Sequence, residues 1–139
     1  MKKIFIDTNI IIDLLADRKP YSKFAVMLFS YAENNKVQLF ASSLSVVTVH
    51  YMMKKYTDEK TLRSIILQLL EFITIIPIDV HMMKKGLKSK HKDFEDALQI
   101  LSASSVEQMD AIVTRNLKDL KLSEIPVFSP DKIVQELEK

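Results

Sequence analysis

The chain has 139 residues, of which 47% are hydrophobic and 27% are charged, and its formal net charge is +2. This length and composition predict a single globular domain over residues 1–139. The lack of cysteine excludes disulfides, thiolate metal sites and cysteine nucleophiles, and the single glycine, Gly86, excludes glycine-rich phosphate loops. Asp7 interrupts the first apolar run and no run has membrane-spanning length, so we expect a cytoplasmic protein with no signal peptide and no membrane partner.

Short apolar segments alternate with longer stretches of helical periodicity. The strand-like segments are Lys3–Ile6, Val37–Ala41, Ile73–Ile76, Ala111–Thr114 and Val127–Phe128. Apolar residues with a period near 3.6 predict helices over 21–32, Ser45–Tyr56, 62–70, Val80–Lys88, Phe94–Ser105 and Asp131–Leu137. Because strands that alternate with helices form parallel sheets covered on both faces, the predicted fold class is α/β.

The first predicted strand ends at a carboxylate. Asp7 directly follows the apolar run, and Thr8 and Asn9 are good first residues for the next helix. Ligands of open α/β sheets bind just outside the carboxyl ends of the strands. Asp7 is therefore either a ligand-binding carboxylate or a helix cap, and the choice depends on whether other carboxylates converge on it.

Two further groups of oxygen-bearing side chains lie far along the chain. Asp93 and Asp96 are three residues apart at the start of a helix, and Asp96 adjoins the face expected to meet the sheet. For Asp93 the alternative is a helix cap. Asn116 and Asp119 follow the strand that begins at residue 111. The alternative for Asn116 is a turn residue, and the alternative for Asp119 is a cap or a surface charge.

Carboxylates that converge on one edge of a sheet repel one another unless a cation lies between them. Since no cysteine is available, the expected cation is a hard divalent ion with oxygen ligands, Mg²⁺ or Mn²⁺. Such an ion activates water and stabilises charge that develops on a phosphate. The predicted chemistry is therefore phosphodiester hydrolysis.

Four segments resemble the motifs of PIN domains, in the family's order. They are Ile-Asp-Thr-Asn-Ile-Ile-Ile-Asp-Leu-Leu, Ala-Ser-Ser-Leu-Ser, Asp-Phe-Glu-Asp-Ala-Leu-Gln and Ile-Val-Thr-Arg-Asn-Leu-Lys-Asp-Leu. The resemblance implies a three-layer α/β/α sandwich over a mainly parallel sheet of about five strands. It implies a Mg²⁺- or Mn²⁺-dependent endoribonuclease that cleaves RNA. Its toxin branch further implies a small antitoxin-like partner, and a homodimer is common among similar proteins.

The same resemblance assigns the metal site. Asp7 matches the first metal carboxylate, Asp96 the third acidic position and Asn116 a position that carries aspartate or asparagine. Asp119 is a further acidic neighbour. Asp7, Asp96 and Asn116 are therefore the predicted catalytic residues, with Asp93 or Asp119 completing the metal ligands.

The chain departs from the family at one position. After Ser42-Ser43-Leu44 the family typically has a glutamate in the next helix, and Thr48 occupies that position here. A hydroxyl holds a metal-bound water but adds no charge, so we expect weaker metal binding unless Asp93 substitutes. The leading alternative is therefore a PIN-like module with weak or no activity that binds RNA or a small protein. A phosphatase with Asp7 as nucleophile is a second alternative, which fits poorly because Asn9 stands where the haloacid dehalogenase type has an aspartate.

Other side chains are assigned supporting roles. Hydrogen bonds from side chains next to the ligands orient metal sites, and the candidates are Thr8, Asn9, Thr48 and Thr114. A basic run from Lys84 to Lys92 leads into the second acidic group, and basic side chains there bind a nucleic-acid backbone unless the run is only a solvated face. The predicted substrate-binding residues are Lys90, Lys92 and Arg115. Asp13 is expected to be a cap or a surface residue.

Overall fold

The computed structural model describes all residues from Met1 to Lys139. Its strands are β1 (Lys2–Ile6), β2 (Val37–Ser42), β3 (Ile73–Ile76), β4 (Ala111–Val113) and β5 (Val127–Phe128). Its helices are α1 (Thr8–Leu15), α2 (Ser22–Glu33), α3 (Ser43–Met53), α4 (Glu59–Leu69), α5 (Val80–Lys88), α6 (Phe94–Ser104) and α7 (Pro130–Leu137), and a 3₁₀ turn covers Leu117–Leu120. All five predicted strands are present, although β4 ends one residue before Thr114.

The five strands form one sheet in the order β3-β2-β1-β4-β5, and every neighbouring pair is parallel. Ile4 of β1 lies opposite Leu39 on one side and opposite Ala111 on the other. The chain builds the sheet outward from β1 to β3 and then returns to the other side of β1. The strand order therefore reverses between β1 and β4, and a crevice at such a reversal is where open α/β sheets bind ligands.

Helices cover both faces of the sheet. Successive residues of a strand point to opposite faces. Ile4 and Ile6 accordingly belong to a cluster of 21 buried hydrophobic residues, whereas Phe5 belongs to a second cluster of 8. The larger cluster includes residues of α1, α2, α3, α4 and α7, and the smaller one includes Ile100 and Ala103 of α6. The predicted three-layer α/β/α sandwich over a parallel sheet is thus confirmed.

The helices begin where the sequence offers caps. Asp7, Ser42, Asp58, Asp79 and Asp93 are the N-caps of α1, α3, α4, α5 and α6, and each accepts a backbone N–H of the following turn. Such caps satisfy amides that the helix itself leaves unpaired. None of the helices combines the length and the apolar content that crossing a bilayer requires.

Candidate active site

Asp7 lies at the carboxyl end of β1, beside the end of β4. Its backbone N–H donates to the carbonyl of Val113 at 2.9 Å, so the two strands stay paired up to this residue. Its carboxylate also caps α1, because Oδ1 accepts the backbone N–H of Thr8 at 2.8 Å. Asp7 is therefore both the N-cap of α1 and a carboxylate at the edge of the sheet, so its two interpretations are compatible.

Hydrogen bonds from two other elements hold the same carboxylate. Gln99 Nε2 of α6 donates to Oδ1 of Asp7 at 2.9 Å, and the buried Thr114 hydroxyl donates to Oδ2 at 2.8 Å. Thr114 Oγ1 itself accepts from Asn9 Nδ2 at 3.3 Å and from the backbone N–H of Asn116 at 3.0 Å. Because those two donors occupy the oxygen, the hydroxyl hydrogen of Thr114 points at Asp7. Residues from α1, α6 and the segment after β4 thus fix the orientation of one carboxylate.

Asp96 lies on the first turn of α6, and its environment disfavours its charged form. Partial burial, together with the negative charges of nearby Asp93, Asp119, Asp7 and Glu95, raises the pKa of Asp96 from 3.8 to about 6. No lysine or arginine forms an ion pair with any of these five carboxylates. The negative charge at this end of the sheet is therefore not neutralised by any direct ion pair.

The predicted ligands fall into two adjoining clefts that meet at Asp96. The first, of about 220 Å³, brings together residues of the first strand end, α3, α6 and the end of β4. Its predicted members are Asp7, Thr8, Asn9, Thr48, Asp96 and Asn116. The second, of about 290 Å³, lies between the loop before α6 and the 3₁₀ turn. Its predicted members are Lys90, Lys92, Asp93, Asp96 and Asp119.

The two clefts separate Asp7 from the residues that were predicted to complete the metal ligands. Asp93 and Asp119 share a cleft with Asp96 but not with Asp7. Asp93 Oδ1 accepts the backbone N–H of Asp96 at 3.1 Å, as the N-cap of α6. Since Thr48 lines the other cleft, the geometry does not favour Asp93 as a substitute for the family's glutamate.

The donor set fits a hard divalent cation that keeps part of its water shell. Nowhere do three or more carboxylate or histidine side chains come close enough to enclose one ion. The side chains that line the first cleft nevertheless offer oxygen ligands to a cation, from the carboxylates of Asp7, Glu95 and Asp96, the Asn116 amide and the Thr8 and Thr48 hydroxyls. Mg²⁺ usually retains several waters and binds proteins through one or two carboxylates. Asp7 and Asp96 supply that number.

Arg115, a predicted substrate-binding residue, lines neither cleft and forms an ion pair with Asp13. Its Nε and Nη2 donate to the two carboxylate oxygens of Asp13, at 2.7 and 3.0 Å, and its guanidinium lies 4.1 Å from the centre of the Tyr21 ring. Asp13 is only 1% exposed, so its expected surface position is wrong. A buried charge requires a partner, and Arg115, from the far end of the chain, supplies it. This pair ties α1 to the segment after β4.

Three charged or polar residues of the first cleft, Arg18, Glu95 and Gln99, are absent from the sequence-based site. Arg18 lines the cleft and forms no ion pair, so it is the arginine that is free beside Asp7 and Asp96. Gln99 is 4% exposed and bridges Asp7 to the hydroxyls of Ser42 and Ser45. The one signal for Gln99 was a polar side chain in the apolar run Ala-Leu-Gln-Ile-Leu, three residues after Asp96.

These observations define a class of structure: a parallel α/β sheet with unpaired carboxylates at the point where the strand order reverses, between β1 and β4. A model of the PIN domain family matches residues 3–118. The chain belongs to the PIN domain family, and the resemblance noted in its sequence motifs is confirmed.

Individual relatives agree with this assignment. The chain is 27% identical over 139 residues to ribonuclease VapC1 of Aquifex aeolicus (strain VF5), covering 96% of this chain and 94% of that protein. Among solved structures, a toxin-antitoxin complex from Klebsiella pneumoniae contains a chain that is 27% identical, with a TM-score of 0.64 and coverage of 91% and 97% of the two chains. VapBC2 from Rickettsia felis, bound to a DNA fragment from their promoter, shares the fold at 18% identity, with a TM-score of 0.62 over 91% of this chain and 98% of that one.

Proposed function

We propose that the chain is a metal-dependent endoribonuclease in which Asp7, Asp96 and Asn116 hold Mg²⁺ or Mn²⁺, partly through waters. The observation that carries this proposal is the convergence of Asp7 and Asp96, 89 positions apart in the sequence, in one cleft at the switch point of the sheet. The similarity to a ribonuclease of Aquifex aeolicus supports RNA as the substrate. Asp93 and Asp119 extend the negative charge along the second cleft.

A bound Mg²⁺ or Mn²⁺ would supply an activated water and stabilise the charge that develops on the scissile phosphate. The chain's own residues prepare the site for it. The three hydrogen bonds on Asp7 fix the direction of its carboxylate. Arg18, which has no carboxylate partner, is available to bind a phosphate oxygen in the same cleft. No side chain is required as a nucleophile.

The second cleft provides the path for the RNA backbone. Lys90 and Lys92 lie on one side of it, and Lys118 and Lys121 lie on the other, within and just after the 3₁₀ turn. None of these four lysines forms an ion pair, so all are available to phosphates. A strand that follows this cleft reaches the cation site at Asp96, where the two clefts join. The substrate-binding role predicted for Lys90 and Lys92 thus extends to the opposite wall.

The relatives also bear on partners. Because a solved relative is part of a toxin-antitoxin complex, the protein is proposed to be a cytoplasmic toxin neutralised by a small antitoxin. An exposed apolar groove between α3 and α4 is lined by Val46, Val47, Ile66 and Leu67, and it suits an apolar segment of such a partner. The exposed residues Val80, Met83 and Leu87 of α5 form a separate apolar stripe that suits a homodimer contact.

Thr48 favours a second candidate, a PIN domain that binds RNA or a protein with weak or no cleavage. Thr48 lines the cleft of Asp7 but contributes a hydroxyl where a third carboxylate would add charge. Metal affinity separates the two candidates. The nuclease candidate requires that Mn²⁺ or Mg²⁺ at millimolar concentration binds the purified protein. The binding-module candidate does not require metal binding.

The decisive experiment is cleavage of labelled single-stranded RNA by the purified protein in Mg²⁺, in Mn²⁺ and in EDTA. Cleavage is expected only with metal, and Asp7→Asn is expected to abolish it while the variant remains folded in EDTA. Glu33→Gln removes an exposed carboxylate outside both clefts and is the matched control. Equal cleavage by Asp7→Asn and parent would rule out the metal mechanism.

A further inference from the structure

We infer that Gln99 is the positioning residue of this site, which dictates through its buried amide which oxygen of Asp7 faces the cleft and which way the Thr8 hydroxyl points. This inference rests on the proposed function, since it concerns how the same site presents itself to a cation and a phosphate. Gln99 is a full turn beyond the start of α6, only 4% exposed, and in contact with residues from β1, β2 and α3.

The orientation of the Gln99 amide follows from its neighbours. Ser42 Oγ accepts the backbone N–H of Ser45 at 3.2 Å, so its own hydrogen is free to donate to Gln99 Oε1, which lies 2.5 Å away. With Oε1 occupied, the amide NH₂ group faces Asp7 Oδ1 at 2.9 Å and Ser45 Oγ at 3.0 Å. The reversed amide would place its oxygen against the Asp7 carboxylate oxygen, with no hydrogen between the two acceptors.

The chain of hydrogen bonds continues from Ser45 to Thr8 with the same donor-to-acceptor direction. Ser45 Oγ accepts from Gln99, and the nearest side-chain acceptor for its own hydrogen is Thr8 Oγ1 at 2.8 Å, since Ser42 Oγ lies 3.5 Å away. The Thr8 hydroxyl is then an acceptor in the network, and its own hydrogen has no partner within it. Since Thr8 lines the cleft of Asp7, this chain of hydrogen bonds ends in a donor that faces the ligand.

The hydrogen-bond network also determines which oxygen of Asp7 is available to a cation. Oδ1 accepts both the Thr8 N–H and the Gln99 amide, which use its two lone-pair directions. Oδ2 accepts only the Thr114 hydroxyl and keeps one direction open. Asp7 therefore presents a single oxygen, Oδ2, to a cation. Gln99 is the residue whose hydrogen bond occupies the second lone-pair direction of Oδ1.

The test is Gln99→Met, which keeps the length of the side chain and removes the amide. The matched control is Gln68→Met on α4, where the side chain is exposed. Because Gln99→Met leaves the Ser42 and Ser45 hydroxyls without their partner and destabilises the fold, Ser42→Ala is a second variant. It keeps Gln99 but removes the hydroxyl that orients its amide.

Free Mn²⁺ is measured by electron paramagnetic resonance during titration of each purified protein, and unfolding is followed separately in EDTA. Loss of groups that orient metal ligands weakens metal affinity about 10–100-fold, and we expect an increase of that size in the Mn²⁺ Kd of Gln99→Met. Ser42→Ala is expected to raise the Kd by a smaller factor, and Gln68→Met to leave it unchanged.

Each outcome has a separate meaning. If Gln99→Met is less stable in EDTA but binds Mn²⁺ as tightly as the parent, Gln99 is only a structural residue and the inference is wrong. If Gln99→Met does not fold, Ser42→Ala decides by the same criterion. If the parent binds no Mn²⁺, the proposed metal site is itself wrong and this inference fails with it.

Discussion

Asp96→Asn is expected to stabilise the metal-free protein at neutral pH while it removes the response to metal. The pKa of Asp96 is raised from 3.8 to about 6 by burial and by the neighbouring carboxylates. A carboxyl group whose pKa is raised by folding favours the folded state below its unfolded value, and this contribution is lost as the pH rises through the folded value. At pH 7 the folded metal-free protein therefore carries an unfavourable charge that asparagine removes.

The magnitude follows from the shift. A difference of about 2 pKa units corresponds to about 3 kcal/mol at 1.36 kcal/mol per unit. Because Asp96 is only half-buried, solvent screening reduces this to about 1 kcal/mol. For a domain of this size a change of about 1 kcal/mol moves the Tm by about 4 °C.

The assay is thermal unfolding of the parent and Asp96→Asn between pH 4 and pH 8, with EDTA or with Mn²⁺. In EDTA the variant should melt higher than the parent at pH 7, and the two curves should converge toward pH 4. With Mn²⁺ the parent should gain stability and the variant should gain little, because ligands that bind only the folded state stabilise it. A variant that melts below the parent at pH 7 in EDTA would refute this account of the charge at Asp96.

Three further predictions concern other parts of the site. Thr48→Glu adds the carboxylate that the family has at this position, and we expect Mn²⁺ titration to show an affinity higher by about tenfold, as tighter charge neutralisation requires. Arg115→Met leaves Asp13 buried and unpaired, so urea unfolding should show a loss of about 3–5 kcal/mol. Replacing Lys118 and Lys121 by glutamine in the Asp7→Asn background should weaken RNA binding. The slope of the logarithm of the binding constant against the logarithm of the salt concentration should become shallower by about 0.7 per lost phosphate contact.

The controls for these variants come from the same chain. Lys60→Gln on α4 removes an exposed lysine outside both clefts and should leave the salt dependence of RNA binding unchanged. An equal decrease with Lys60→Gln would mean that RNA binding follows overall charge and not the second cleft. If Thr48→Glu binds Mn²⁺ no more tightly than the parent, Thr48 does not face the cation.

Local patterns were sufficient to predict the elements that carry the site. The apolar run that ends at Asp7 predicts β1 and the rim of the sheet, because both depend on neighbouring residues only. The acidic start of α6 predicts Asp96 in the same way. Both residues line the first cleft, together with Asn116 from the end of β4.

The remaining contacts depend on pairs that no local pattern contains. Asp13 lies on α1, and its burial is explained only by Arg115, 102 positions away. The separation of Asp93 from Asp7 depends on how α6 rests on the sheet, which periodicity does not determine. Gln99 has no role predicted from the sequence, because its role depends on Ser42, 57 positions away.

One helix carries both the acidic group and the amide that serve Asp7. Asp96 and Gln99 are three residues apart on α6, so they project from nearly the same side of a rigid rod. A partner that slides or turns this rod changes charge and orientation at Asp7 in a single movement, whereas mutation must alter them one at a time. The interval between the two residues is therefore expected to tolerate no insertion, since one added residue would rotate them apart by about 100°.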